Sequence, residues 1–526
     1  MKSHRPPRWW GVVTGLVAAA LGLAFGEVVA GFSSELRSPV AKVGDRVIDW
    51  VPKSMKDFAI RNFGGDDKRV LIITILVVIA IAASLVGIAT VRGRPRVGVV
   101  AAAVFGLLGA LAGGFGRNTT TAGVFPALVA AVVAGAVLIG GYHLAHPRPV
   151  VVPVTRRPRN EIEIQPAPVA ARLDRRRFLL SSGGLTLGAL AVAAFGRDLQ
   201  NRFNSSLERA GVRLPVPVDP LPAPPADPAA QPGNKGLSPL ITPTGDFYRI
   251  DTALYFPSIA LSSWKLRIRG MVDRELSFTY DDLLARNLIE RDITISCVSN
   301  EVGGDLVGNA RWVGCRLDEL LDEAGIDKRA DQIMGMSDDG FTAGFPVDTL
   351  DGRDAIIAFG MNGEVLPVKN GFPARIIVPG IYGYVSAVKW LTEINLTTFA
   401  RDQGYWVPRG WAALAPVKTQ SRIDRPGANV STGTTVVGGV AWAPTRSIDK
   451  VEVQVDDQAW MPATIGPVLS EDTWVQWWVK WDATEGMHQI RVRATDGNGD
   501  TQTEERTRVD PDGATGWHTI RVNVSA

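Results

Sequence analysis

The chain has 526 residues, enough for three or four domains at ~150 residues each, and its 46% hydrophobic and 21% charged residues exclude a disordered chain. The net charge of +3 is unevenly spread: residues 1–196 carry 23 Lys and Arg against 10 Asp and Glu, and residues 197–526 carry 33 against 43. The basic half is also the apolar half, so its charge reports on membrane topology, while the acidic remainder excludes nucleic acid as a partner.

Residues 1–196 read as a membrane region. Trp9–Phe32 (interrupted by Glu27), Val70–Val91, Val97–Phe115 and Ala122–Leu144 are long and nearly uncharged, and a fifth stretch, Phe178–Phe195, is shorter. A bilayer needs ~20 apolar residues in a helix, so five spans are expected, the fifth marginal in length. Gly109-xxx-Gly113 lets helix backbones approach closely. Arginines cluster at the start (Arg5, Arg8), after the second span (Arg92, Arg94, Arg96) and between the fourth and fifth (eight, from Arg148 to Arg177). The positive-inside rule then puts the N-terminus in the cytoplasm, membrane lipid around the spans and the C-terminal half outside. Asp174-Arg-Arg-Arg-Phe-Leu179 resembles the twin-arginine export motif, and equally suits ordinary cytoplasmic arginine.

Residues 197–244 are expected to form a linker. Ten prolines fall between 215 and 243, which predicts an extended polyproline-II spacer. Residues 245–400 mix strand-like and helix-like runs. Trp264–Ile268 and the buried run Ala374–Pro379 read as strands, and Tyr280–Arg286 and Leu317–Ala324 as helices, the last with an acidic first turn and no Ser, Thr, Asp or Asn cap. This is an α+β pattern. Residues 401–526 change character: Thr434–Val440, Val451–Val455, Trp474–Trp481, Gln489–Ala494 and Thr519–Val524 are short strands between turns, which predicts an Ig-like β-sandwich. Nine of the 15 tryptophans lie here, to fill its core or make a domain contact.

Cys297 and Cys315 are the only cysteines, which excludes a disulfide-rich scaffold, a four-cysteine zinc site and an all-cysteine iron–sulfur cluster. None of the five histidines lies between residues 147 and 487, so a catalytic domain there has no Ser-His-Asp triad, no HExxH zinc site and no histidine-ligated haem. On count alone the two cysteines fit a disulfide in an oxidising compartment or inert buried thiols.

Several segments of residues 245–400 occur in the order and spacing of one family. They are Gly245-Asp-Phe-Tyr-Arg-Ile-Asp-Thr252, Ser296-Cys-Val-Ser-Asn300, Asn309-Ala-Arg-Trp-Val-Gly314, Met361-Asn-Gly-Glu-Val-Leu-Pro367, Gly371-Phe-Pro-Ala-Arg375 and Val378-Pro-Gly380 through Val388-Lys-Trp-Leu391. The region resembles the molybdopterin-binding domain of the sulfite oxidase family. Residues 418–526 resemble its C-terminal dimerisation domain through Ser421-Arg-Ile-Asp-Arg-Pro426, Val451-Glu-Val-Gln-Val-Asp456 and Val492-Arg-Ala-Thr-Asp496.

The resemblance implies a molybdenum–molybdopterin cofactor with Cys297 as thiolate ligand, a role that suits a soft donor. It implies that Arg375 faces the pterin or an anionic substrate, that Lys389 meets the cofactor phosphate, and that Asn300 lies near the metal. Tyr248, Asp251 and Thr252 fall in the first cofactor-contacting segment, Gly383 and Ser386 approach the pterin, and Cys315 is core. It further implies oxygen-atom transfer on a small oxyanion or sulfoxide, a separate redox partner or quinone, and a homodimer through the C-terminal domain. The alternatives are a sulfoxide reductase with the same cofactor and a non-catalytic extracytoplasmic binding or assembly module. The sequence also departs from animal-type sulfite oxidases. Ile250, Asp251 and Thr252 stand where those have Arg, Asn and His, Asn370 replaces a His, and Phe341 replaces a Tyr. Much of the positive charge a doubly charged oxyanion needs is therefore missing.

Overall fold

The computed structural model describes residues 6–32, 36, 38–52, 55, 58, 67–114, 121–146, 175–201, 205–253, 256–257 and 259–526. It divides into two compact units, Met1–Asn204 with Thr252–Ser258, and Ser205–Asp251 with Ile259–Ala526.

Among the described residues of the first unit, four helices are long and apolar enough to cross a membrane: Arg8–Ala30, Lys68–Val91, Pro95–Gly114 and Ala122–Ala145. The expected fifth span is a helix over Arg175–Asn201, but its apolar part, Ser182–Gly196, falls short of the ~20 residues a bilayer needs. Ser182, Gly183, Gly184, Thr186 and Gly188 dilute it. Glycines set the close contacts. A Cβ on Gly15 would lie 1.9 Å from the Ala83 carbonyl oxygen, and one on Gly87 2.1 Å from that of Gly11. Gly109 and Gly113 do form a contact face, against Ala127 and Gly123. A further helix, Pro39–Trp50, was hidden in a stretch of mixed charge; the Ser38 side chain caps it by accepting from Ala41 N (3.3 Å), with Pro39 at the first helical position. The loop arginines Arg148, Arg156, Arg157, Arg159 and Arg172, and Asp174 of the twin-arginine-like motif, lie outside the described residues.

The second unit begins with a strap. The Pro-rich segment holds no helix from Val212 to Asp227 and two short 3-10 helices after it, Pro228–Ala230 and Pro232–Asn234, and it is tied along the globular surface rather than standing free. Val218 N donates to Leu288 O (2.8 Å), Leu221 N to Glu290 Oε2 (2.9 Å), and Arg311 Nη1 to Pro222 O (2.8 Å). Asp227 then accepts from Leu240 N and from Gln476 Nε2, each at 2.8 Å. Prolines keep the chain extended without needing donors of their own, so neighbouring residues supply the bonds.

The α+β part has two five-stranded sheets. Its strands are β1 (Lys265–Gly270), β2 (Leu276–Thr279), β3 (Leu288–Ser296), β4 (Val307–Arg316), β5 (Gln332–Ser337), β6 (Thr342–Pro346), β7 (Ile356–Met361), β8 (Glu364–Val365), β9 (Arg375–Ile377) and β10 (Leu391–Thr397). One sheet runs β3-β4-β7-β8 with β9 on β7, and the other β2-β1-β10-β5-β6. β3 and β4 pair antiparallel over nine positions, from Leu288↔Cys315 to Ser296↔Val307. Their core holds Ile293, Ile295, Ala310, Trp312 and Ile377. The predicted helix at Leu317–Ala324 forms without a side-chain cap; instead Arg316 Nε and Nη2 bond Asp318 at 3.0 and 2.6 Å, holding the acidic first turn against the helix start.

The C-terminal part is a two-sheet β-sandwich. It comprises β11 (Gln420–Arg425), β12 (Asn429–Ser431), β13 (Gly433–Trp442), β14 (Ile448–Val455), β15 (Met461–Pro462), β16 (Thr464–Ile465), β17 (Val475–Ala483), β18 (Gly486–Asp496) and β19 (His518–Ser525). The orders are β11-β13-β17-β16 and β12-β19-β18-β14-β15. Inward residues of both sheets, among them Val437, Val453, Trp477, Val492 and Val522, make one core. Trp442 and Trp474 are also buried, so core filling accounts for several of the tryptophans; Trp460 and Trp517 instead flank Arg493 near the surface.

Candidate functional site around Cys297

β3 is buried along its last five residues, and the chain turns directly after it. Cys297 opens that turn. Its N–H donates to Leu306 O (2.9 Å), Asn300 N donates back to Cys297 O (3.0 Å), and Gly304 N to Glu301 O (2.8 Å). Gly303 at φ +83° completes the reversal into β4, a conformation that favours glycine. Cys297 is 7% exposed and carries a free thiol, and so does Cys315, so no disulfide joins them. Burial pushes the Cys297 thiol's pKa up, against hydrogen bonds from Ser299 and the positive charge of Lys389. A thiol so placed is a poor free nucleophile, whereas a bound metal cation would hold it as thiolate.

Two predicted residues, Tyr248 and Gly383, border this turn, and a third, Arg375, is linked to it through Tyr248. Tyr248 is electrostatically coupled to both Cys297 and Arg375, and burial pushes its hydroxyl far above its ordinary pKa. A Cβ on Gly383 would lie 3.8 Å from the Tyr248 hydroxyl and from Ser296 O, so the backbone at Gly383 borders the end of β3. Arg375, the first residue of β9, is 5% exposed. Its Nη1 donates to Asn370 O (3.0 Å) and its guanidinium lies 5.2 Å from the Trp312 ring centre. Among the described residues no carboxylate pairs with it, and burial lowers its pKa to about 10.

The other predicted residues are committed locally. Lys389 Nζ donates to Asp251 Oδ2 (2.9 Å) and Ile250 O (3.0 Å), with the Lys389 and Asp251 side chains 11% and 3% exposed, and Asp251 Oδ2 also lies 3.4 Å from Arg249 Nε, so one carboxylate is shared by two cations. Asn300 Oδ1 accepts from Leu306 N (2.9 Å) and stabilises the turn. Ser386 Oγ donates back to Tyr382 O (3.2 Å). Thr252 falls in the short segment grouped with the first unit. Sequence reasoning did not single out Tyr382, whose hydroxyl is pushed up to about 12 by burial, with Cys297 among its electrostatic neighbours. Its place directly before Gly383 was the available signal. Phe341 packs on Tyr405 at 5.8 Å.

The residues present fit an anionic, metal-bearing cofactor. Arg375 Nε and Asn370 Oδ1 are buried without hydrogen-bond partners, and Tyr248 is in electrostatic contact with both Arg375 and the buried thiol of Cys297. Such orphaned groups are costly unless a ligand satisfies them.

Residues 253–406 match the family described as the oxidoreductase molybdopterin binding domain. An uncharacterized oxidoreductase of Bacillus subtilis, YuiH, is 29% identical over 151 residues, covering 29% of this chain and 73% of that protein. Mitochondrial sulfite oxidase of Rattus norvegicus is 27% identical over 261 residues, covering 41% of this chain, and the chain spans only 47% of that enzyme's length. The sulfane dehydrogenase SoxCD of Paracoccus pantotrophus aligns with a TM-score of 0.48 at 23% identity, over 54% of this chain and 81% of that one. Residues 253–406 are thus a molybdopterin-binding domain of sulfite oxidase type, the domain of a molybdopterin-dependent oxidoreductase, and its cofactor is molybdenum–molybdopterin.

Proposed function

We propose that this chain is a membrane-anchored oxidoreductase that transfers an oxygen atom at an extracytoplasmic molybdenum–molybdopterin centre, with Cys297 as the metal's protein ligand. The observation that carries the reading is the seat of Cys297: a free buried thiol at the end of β3, in electrostatic contact with Tyr248, which is in turn in electrostatic contact with Arg375, a buried arginine that no carboxylate pairs among the described residues. Molybdenum held by a pterin dithiolene and one thiolate supplies two-electron oxygen-atom chemistry. The chain's own residues hold and orient. Cys297 binds the metal, Arg375 receives an anionic group of the cofactor or substrate, the backbone at Gly383 borders the pterin, and the Lys389–Asp251 pair fixes the first segment against the chain after β9. The Ser182–Gly196 helix acts as a fifth membrane segment, with the N-terminus cytoplasmic. The Ig-like sandwich makes a homodimer contact, and a separate redox protein or a quinone exchanges the electrons.

For the substrate, a sulfoxide is favoured over sulfite by one observation. Asp251 is taken up by Lys389 and the more exposed Arg249, and among the described residues Arg375 is the buried guanidinium of the site that no carboxylate pairs, one charge and too little for a dianion. The test is molybdenum per chain in protein from a host able to make and insert the cofactor, beside Cys297→Ser, followed by assays with sulfite and with sulfoxides. Near-stoichiometric molybdenum and an altered metal centre in the variant support the reading; absence of molybdenum from the unaltered chain refutes it.

A further inference from the structure

The turn that carries Cys297 is held from its outer side by the C-terminal sandwich. Arg422 of β11 donates through Nη1 to Gly304 O (2.8 Å). That guanidinium is itself fixed, with Nε on Asp424 Oδ1 (2.7 Å) and Nη2 on Ser238 Oγ (2.7 Å), while Ser238 N closes the ring on Asp424 Oδ2 (2.9 Å). Beside it, His518 at the start of β19 lies flat against Gly303: a Cβ there would come 2.3 Å from ring Cδ2 and 2.4 Å from Nε2. Gly303 is therefore the residue that lets an imidazole reach the turn. On its other edge His518 Nδ1 accepts from Ile423 N (2.9 Å). That bond requires Nδ1 to be unprotonated, so the ring is the neutral tautomer with its proton on Nε2.

We infer that Arg422 and His518 are positioning residues for Cys297, and that neutral His518 is what keeps the Cys297 turn seated. The inference rests on Cys297 being the metal ligand, and it assigns the sandwich a part in the site as well as any part in assembly. Arg422 supplies a fixed donor to the Gly304 carbonyl of the turn. His518 supplies a flat surface, but only while Nδ1 can accept. Protonation puts a second N–H opposite the Ile423 N–H and adds a cation beside Arg422 and Arg506, with Asp424 as the one opposing charge. Burial first, then Arg422, hold the His518 pKa down to about 4, so the seat is intact at neutral pH and loosens in acid.

The experiment is site-resolved thiol labelling of the full chain in detergent, from a host that cannot make the cofactor. Labelling uses 4,4′-dithiodipyridine, which reacts in acid, with mass-spectrometric mapping of Cys297 and Cys315 and rates scaled to a free cysteine peptide. Cys315, fully buried in β4, reports global unfolding. At pH 7 His518→Ala labels Cys297 about tenfold faster than the unaltered chain, the effect of one lost hydrogen bond, with Cys315 unchanged. Between pH 7 and pH 4 the unaltered chain shows the same selective rise. His518→Asn, whose amide oxygen can accept from Ile423 N and does not titrate, stays protected throughout. The inference is overturned if His518→Ala labels Cys297 at the unaltered rate, if both cysteines rise together, or if the acid step persists in His518→Asn. In cofactor-loaded protein, acid should release molybdenum from the unaltered chain and not from His518→Asn. A chain that never holds molybdenum but passes the labelling test would sink the ligand assignment and leave the positioning role standing.

Discussion

Asp472 offers a quantitative test of how the sandwich grips β3. It lies in the loop between β16 and β17. There Ser470 Oγ donates to Asp292 O (3.1 Å), Thr294 N to Asp472 O (3.0 Å) and Trp474 N to Thr294 Oγ1 (2.8 Å). The Asp472 carboxylate accepts from Thr445 N (3.0 Å) and has Glu471 and Asp354 as like-charged neighbours, against Arg353. Burial, helped by those neighbours, raises its pKa from 3.8 to about 6. The folded chain therefore keeps a proton that the unfolded chain has released, and stability falls as pH rises from about 4 to about 6. Two units correspond to about 3 kcal/mol at neutral pH, an upper figure because the side chain retains some solvent access. Asp472→Asn keeps an acceptor for Thr445 N without the charge. It should match the unaltered chain at pH 4 and exceed it by up to about 3 kcal/mol at pH 7. The assay is urea unfolding of the full chain in detergent at a series of pH values, followed by the fluorescence of the sandwich tryptophans. Taking the difference between the two proteins removes other titrations, including the opposite contribution of His518. A difference that does not grow between pH 4 and pH 6.5, or a less stable variant at pH 7, would refute burial as the dominant cause.

Three further outcomes are expected. Cys315→Ala removes a fully buried thiol away from the site, so it should cost about 1 kcal/mol in stability and leave molybdenum content unchanged, in contrast to Cys297→Ser. Gly15→Leu places carbon where the Ala83 carbonyl stands and should lower the thermal midpoint in detergent markedly, while Gly140→Leu, with open space around it, should not. Arg375→Met removes a buried charge whose pKa depression corresponds to about 3 kcal/mol, against one charged hydrogen bond worth ~1.5–3 kcal/mol. The cofactor-free variant should therefore melt within a few degrees of the unaltered chain while binding far less molybdopterin; equal loss of both would make Arg375 a structural residue.

The elements that could be read from sequence are those whose burial repeats along one face. β13, β14, β17, β18 and β19 were visible because alternating apolar residues fill a two-sheet core, and four long apolar helices because uninterrupted apolar length has few other uses. Elements fixed by pairing escaped. β12, β15 and β16 are two or three residues long and exist through their partners, and β11 reads as polar because Arg422 and Asp424 are consumed in a network with Ser238. The Pro-rich segment illustrates the same limit. Its composition predicts an extended backbone, but whether an extended chain hangs free or is strapped down depends on acceptors and donors at Leu288, Glu290 and Arg311, far along the sequence.

At the site, motif matching located residues but not their commitments. Cys297, Tyr248 and Gly383 come together where the end of β3 meets the chain at Gly383, and Arg375 is linked to them through Tyr248. Lys389 and Asp251 were assigned separately to the cofactor, yet each is buried beside the other, and a buried ion pair gives up its partner only at a cost of several kcal/mol. Asn300 spends its side-chain oxygen on Leu306 N, which no alignment of types can distinguish from a free ligand contact. The outer shell of the Cys297 turn was illegible for a different reason. Arg422 and His518 lie more than a hundred residues beyond it, and only the packing of the sandwich against Gly303 and Gly304 brings them there. The charge of the site is thus set less by which cations the chain contains than by which of them lack a carboxylate. Among the described residues of the site Arg375 is the buried cation left in that state, and one anionic group, such as a cofactor phosphate, is the partner its charge can accommodate.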